Sequence, residues 1–184
     1  MDTSRITGYS RTARFNHWIS AGLVLVMLTI GWTLYAGVLG QDLSGSVRDF
    51  HKALGVVVLV FGIWRVGYRL VKGFPPIIEG TPPWQATFAR LAHYVLLTGI
   101  LVMPVSGIAW GYYAGRDLDV FGLFTLAGAA VENEALSDLG STVHFYAGSA
   151  VTFVVFVHLL AALKHHYVDK DSTLRRMMGN SRDD

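Results

Sequence analysis

Long unbroken apolar blocks, rather than short alternations, organise this chain. Four of them reach the roughly 20 residues a bilayer crossing needs. They lie near Phe15–Tyr35, Phe50–Leu70, Phe88–Tyr112 and Leu139–His165. Each predicts a helix, because a segment in hydrocarbon must satisfy its own backbone hydrogen bonds. The first block is too long for a signal h-region and ends without a clear small-x-small cleavage site, so it is expected to be retained. No repeat or soluble module interrupts the pattern. The expectation is a single all-α unit over residues 1–184, a four-transmembrane-helix bundle. Between the third and fourth blocks, VFGLFTLAGAAVENEAL is too apolar for a solvated loop. It predicts a short helix lying on the membrane surface. Between the second and third, Pro75, Pro76, Pro82 and Pro83 predict a stiff extended crossing. Gly62 and Gly107 would let helices approach closely, and Pro104 would bend the third span.

Charge gives the blocks an orientation. Only 15% of residues are charged, against about 25% in soluble domains, so where they fall matters more than their sum. With four spans, the N-terminus, second connection and C-terminal tail share one side. That side holds 12 of the 15 Lys and Arg residues, among them Arg5, Arg14, Arg65, Arg69, Lys164 and Arg182. Arg48, Lys52 and Arg116 are the three cations of the other side, against seven carboxylates. Positive residues favour the cytoplasm, so both termini are expected on the cytoplasmic side of the membrane. The basic excess is then a topology signal, not a nucleic-acid footprint. The chain has no cysteine, which excludes disulfides, thiolate metal sites, iron–sulfur clusters and haem attached through C-x-x-C-H.

Histidines inside apolar spans are costly and imply a partner. His144 and His158 are fourteen residues apart on one predicted helix, about 21 Å along its axis and within about 40° of one face. By depth, His17 at the start of the first span matches His158, and His51 at the start of the second matches His144. Two imidazoles are too few for an ordinary zinc site. They suit the two open positions of a haem iron, and a bundle presents such ligands from facing helices. Small residues follow four positions after each histidine, at Ala21, Gly55, Gly148 and Ala162, where a flat ring would lie close to the backbone. His93 competes with His17 by depth, but the residue four later is Leu97. Its other readings are a propionate or quinone contact, or a bond to a helix carbonyl. The set of four can also be read as hydrogen-bonding glue between spans, or as the ligands of a metal transporter. His165 and His166 follow Lys164 and read as interfacial polar tips. Trp18, Trp32, Trp84, Trp110, Tyr112 and Tyr113 read as interface belts, and Met27 and Met103 as packing. Arg14, Arg65, Arg69 and Lys164 are candidate propionate contacts on one side, Arg48 and Lys52 on the other.

RFNHW, FHKALG, LAHYVLL, MPVSG, VHFYAG and the closing VHLLAALKHHYVDKDSTLRRMM resemble the bacterial cytochrome b561 family over nearly the whole chain. The closing segment is the most specific. The resemblance implies two non-covalent b haems, with axial ligands at His17, His51, His144 and His158. It also implies electron exchange with membrane quinone. One branch of the family, which this chain is similar to, oxidises superoxide and reduces ubiquinone. Other relatives serve as electron-transfer membrane subunits of dehydrogenases. The expected partners are therefore the bilayer, a quinone, and superoxide or a redox protein on the outer face.

Overall fold

The computed structural model describes residues 9–74 and 81–179. Four long helices carry the chain: α1 (Arg11–Tyr35), α2 (Gln41–Lys72), α3 (Pro83–Tyr113) and α4 (Glu134–Lys164). All four are long and apolar enough to cross a membrane. The expected all-α bundle is therefore present, with helices longer than the apolar blocks. Alpha-helical rise makes the 32 residues of α2 about 48 Å long, well beyond the roughly 30 Å hydrocarbon core. Polar helix ends project past the lipid where hydropathy no longer marks them.

Local chemistry sets these ends. Ser10 caps α1 by accepting from Ala13 N, and Asn133 caps α4 by accepting from Leu136 N. Pro83 opens α3 at its first position, where a missing N–H costs nothing. Pro82 and Pro83 thus start a helix rather than extend the crossing, while Pro75 and Pro76 lie outside the described residues, as do Arg5 and Arg182.

The described chain ends share one side of the bundle, called here the terminal side. Trp18 Nε1 donates to the Met177 carbonyl at 3.0 Å, and Arg176 lies over the Tyr9 ring at 5.4 Å. These contacts dock the short helix α5 (Thr173–Met178) on the start of α1.

The opposite side carries a correction to the sequence reading. In place of a surface helix, the third connection forms an antiparallel hairpin, β1 (Leu118–Val120) and β2 (Phe124–Leu126). Phe121 and Gly122 both take positive φ, and Asp119 accepts from Gly122 N at 2.8 Å. A helix cannot contain that turn. Leu118 and Val120 are buried and Asp119 is exposed, a strand's period of two. Phe121 meets Phe50 of α2 at 5.8 Å between ring centres, so the hairpin lies against the beginning of α2. Asp117 accepts from Gly128 N at 2.9 Å. Two of the carboxylates that looked like surface charge therefore build this connection.

Helix packing depends on small residues. A Cβ at Gly140 of α4 would sit 2.8 Å from Trp110 N and 3.2 Å from Ser106 O of α3. One at Gly62 of α2 would sit 3.1 Å from the Ile100 carbonyl of α3. Pro104, four residues after Ile100, has no N–H to give that carbonyl, and α3 runs continuously through it. Large apolar side chains such as Leu25, Val60, Ile63, Phe153 and Phe156 point outward. That suits a lipid surround, where close backbone approach, not apolar burial, holds helices together.

Candidate functional site

On the terminal side, His17 of α1 and His158 of α4 lie with ring centres 6.2 Å apart. His93 of α3 is 5.8 Å from His158, so three imidazoles converge where depth alone predicted two and a competitor. One face of His93 is stacked on Phe74 at 5.8 Å, with an interplanar angle of 11°. Arg65 and Arg69 of α2 lie within electrostatic reach of His17 and His93. Arg69 also donates to the Gly73 carbonyl at 2.9 Å and lies over the Phe74 ring. Arg14 packs against Gly179, and Lys164 is paired with Asp169 at 2.7 Å.

On the hairpin side, His51 of α2 and His144 of α4 are likewise 6.2 Å apart. Nδ1 of His144 is 2.9 Å from the Met103 carbonyl and 3.2 Å from Ser106 Oγ, both on α3. Among the described residues, the buried Nδ1 of His51 has no hydrogen-bond partner. Close by is a cavity of about 30 Å³ lined by Lys52, Gly107, Tyr112, Arg116, Asp117 and Leu126, enough for a water-sized molecule. Lys52 is paired with Asp49 at 2.7 Å, Arg116 lies 6.0 Å over Trp110, and Arg48 is exposed.

The small residues expected beside the histidines are matched by flexible neighbours. A Cβ at Gly55 would meet the Met27 methyl at 3.8 Å, and one at Gly148 the Met103 methyl at 3.2 Å. Two polar residues escaped the sequence reading. Asn16 is only 2% exposed, and its Oδ1 accepts from Trp64 Nε1 at 3.2 Å. Ser106 is buried beside His144. Both were detectable as polar residues inside apolar blocks.

The two trailing histidines separate. His165 begins a π-type turn, His165–Asp169, after α4. Its Nδ1 lies 2.6 Å from Asp171 Oδ2 and 3.2 Å from Asp169 Oδ2. Burial pushes the Asp171 carboxyl upward, but hydrogen bonds from Thr173 and His165 outweigh it and hold the group below its ordinary value. His166 packs edge-on against Tyr167 at 4.7 Å.

Four long apolar helices with imidazoles facing one another at two levels define a membrane-spanning helix bundle with a histidine cluster near each end. The sequence profile of the prokaryotic cytochrome b561 family matches residues 8–180, and the chain belongs to that family. It is 28% identical over 168 residues to cytochrome b561 homolog 2 of Escherichia coli (strain K12), covering 91% of this chain and 89% of the relative. It is 32% identical over 168 residues to the probable superoxide oxidase CybB of Yersinia pestis, covering 90% and 93%. It is 32% identical over 175 residues to cytochrome b562 of Cereibacter sphaeroides, covering 93% and 95%.

Membership makes this a prokaryotic membrane cytochrome and implies haem b. The residues fit that group. Two imidazoles bound to one ion through bonds of about 2 Å, with each ring centre about 1 Å further out, would place their centres about 6 Å apart. Both pairs meet that separation. His144 also has the backbone-carbonyl partner usual for a metal-binding imidazole.

Proposed function

We propose that this chain is a di-haem b cytochrome that exchanges electrons with membrane quinone, with superoxide oxidation coupled to ubiquinone reduction as its reaction. The observation that carries the reading is the pair of matched imidazole separations at the two sides of the bundle. His17 and His158 would hold one haem, and His51 and His144 the other. His93 keeps a contact role, since its ring is already stacked on Phe74. Bound haem supplies an iron that changes its charge by one electron. The reaction balances when two superoxide anions each give up one electron as dioxygen. One ubiquinone takes those two electrons and two protons to become ubiquinol.

The chain's own contribution is steering and enclosure. The terminal side is the basic one, which supports cytoplasmic termini and an outward-facing hairpin. Lys52 and Arg116 line the small cavity beside His144, and two cations in a confined space attract a small anion. Asp117 in the same wall and Asp49 on Lys52 weaken that field; Asp117 also anchors the hairpin, so Asp49→Asn is the change that should speed capture. The name of the Yersinia pestis relative supports this substrate. The test is superoxide loss with purified haem-loaded protein and a ubiquinone analogue. Accelerated loss with ubiquinol formed at one per two superoxides is the expected result, and loss no faster than the uncatalysed rate removes the enzymatic role.

A second reading rests on the exposed Asp42, Glu134 and Asp138 of the hairpin side. An acidic face suits a cationic redox protein, which would make the chain an electron-transfer subunit. Copurification of a dehydrogenase, with salt-sensitive electron transfer, would favour it.

A further inference from the structure

The MPVSG segment of α3 supplies no proposed ligand, yet it encloses one. Met103, Ser106, Gly107 and Trp110 occupy positions i, i+3, i+4 and i+7, one stripe of the helix. All four meet the His144 imidazole. Nδ1 lies 2.9 Å from the Met103 carbonyl and 3.2 Å from Ser106 Oγ. Ser106 Oγ itself donates to the Met103 carbonyl at 3.0 Å. The ring lies over Gly107 so closely that a Cβ there would be 3.1 Å from Cε1 and 3.2 Å from Nδ1. Trp110 closes the side at 6.4 Å between ring centres.

This arrangement selects a tautomer. A carbonyl can only accept, so the nitrogen 2.9 Å from Met103 O must carry the proton. Its N–H is shared between that carbonyl and the Ser106 oxygen, while the serine proton turns to the carbonyl. Every group is satisfied, and Nε2 is left with its lone pair. The alternative tautomer would set the Nδ1 lone pair against the carbonyl oxygen. Its partner His51 has no comparable support at Nδ1 among the described residues.

We infer that this stripe of α3 is a seat that presets His144 as an iron ligand and tunes the haem it binds, with Ser106 as the positioning residue. The inference rests on the proposed ligand role of His144. Two acceptors on one N–H make the imidazole a stronger donor, which favours ferric iron. Removing the hydroxyl raises the midpoint potential of that haem.

The experiment uses purified full-length protein with both haems, read by haem stoichiometry, redox titration and the low-spin ferric electron paramagnetic resonance signals. The haem missing from His51→Ala identifies the affected site. Ser106→Ala is expected to raise that haem's midpoint and leave the other unchanged, with Ser106→Thr returning the wild-type value. Gly107→Ala, which intrudes on the ring, is expected to lower occupancy of the same haem alone. An unchanged midpoint in Ser106→Ala, or a shift in the other haem, overturns the seat. If Ser106→Ala does not fold, Ser106→Cys, similar in volume and a weaker hydrogen-bonding group, is read against the same outcomes. His144→Ala separates the two levels: retention of both haems sinks the ligand assignment, whereas loss of one haem with a silent Ser106→Ala sinks only the seat.

Discussion

A histidine in an apolar span says little until its neighbours are known. Five histidines stand in the long helices, all the same imidazole by composition, and their neighbours separate their roles. His51 and His144 face each other at 6.2 Å, while His158 has two neighbours, His17 at 6.2 Å and His93 at 5.8 Å. What sets His93 apart is its ring stacked on Phe74, a neighbour the other four lack among the described residues. The proposed pairing makes a direct prediction. His51→Ala and His144→Ala should each leave one haem per protein, and His17→Ala and His158→Ala should each lose the other one. His93→Ala should keep both. Pyridine haemochrome quantitation checks all five, and a one-haem product from His93→Ala would put it in place of His17. Depth was legible from spacing, because helical rise is fixed. Sideways choice between His17 and His93 was not, because it depends on how the helices turn about their axes.

Elements in this bundle meet through gaps in their side-chain surfaces. Gly140 of α4 faces the Trp110 backbone, and Gly62 of α2 faces the Ile100 carbonyl freed by Pro104. Backbone cannot retreat as a flexible side chain can. Gly140→Val is therefore expected to destabilise the α3–α4 contact by about 1–3 kcal/mol. It should also disturb the adjoining His144 side more than the His17 side. Thermal unfolding followed at the haem absorption band checks the first part, and haem stoichiometry the second. Gly62 and Gly107 were foreseeable as small residues in spans. Their partners were not, since a carbonyl released by a proline becomes visible only when another helix lies against it. The hairpin was misread for a simpler reason. Its Leu118-Asp119-Val120 alternation spans only three residues, too few to outweigh the apolar character of the whole segment.

Across the whole molecule, the terminal and hairpin sides differ in construction as well as charge. The terminal side is tied by Trp18 to Met177, Lys164 to Asp169, and His165 to Asp171. The hairpin side is built by backbone turns anchored on Asp117 and Asp119, and Leu123 at its tip is 80% exposed. The charge asymmetry predicts which side is which. In a chain without native cysteine, Leu123→Cys should react with an impermeant maleimide added outside intact cells. Arg175→Cys should react only after the membrane is opened. The reverse pattern would invert the topology and move the small cationic cavity to the cytoplasmic face.

The sequence alone determined that this is a four-helix membrane protein, because the cost of unpaired backbone in hydrocarbon leaves a long apolar block few choices. It also determined the two levels of histidine, since rise per residue converts spacing into depth. The tertiary structure decided what those rules cannot reach. It brought His93 into contact with His158, turned the third connection into a hairpin on α2, and set His144 on the MPVSG turn of α3. Each of these depends on which faces of separate helices meet, and that is settled by packing between segments far apart in the chain.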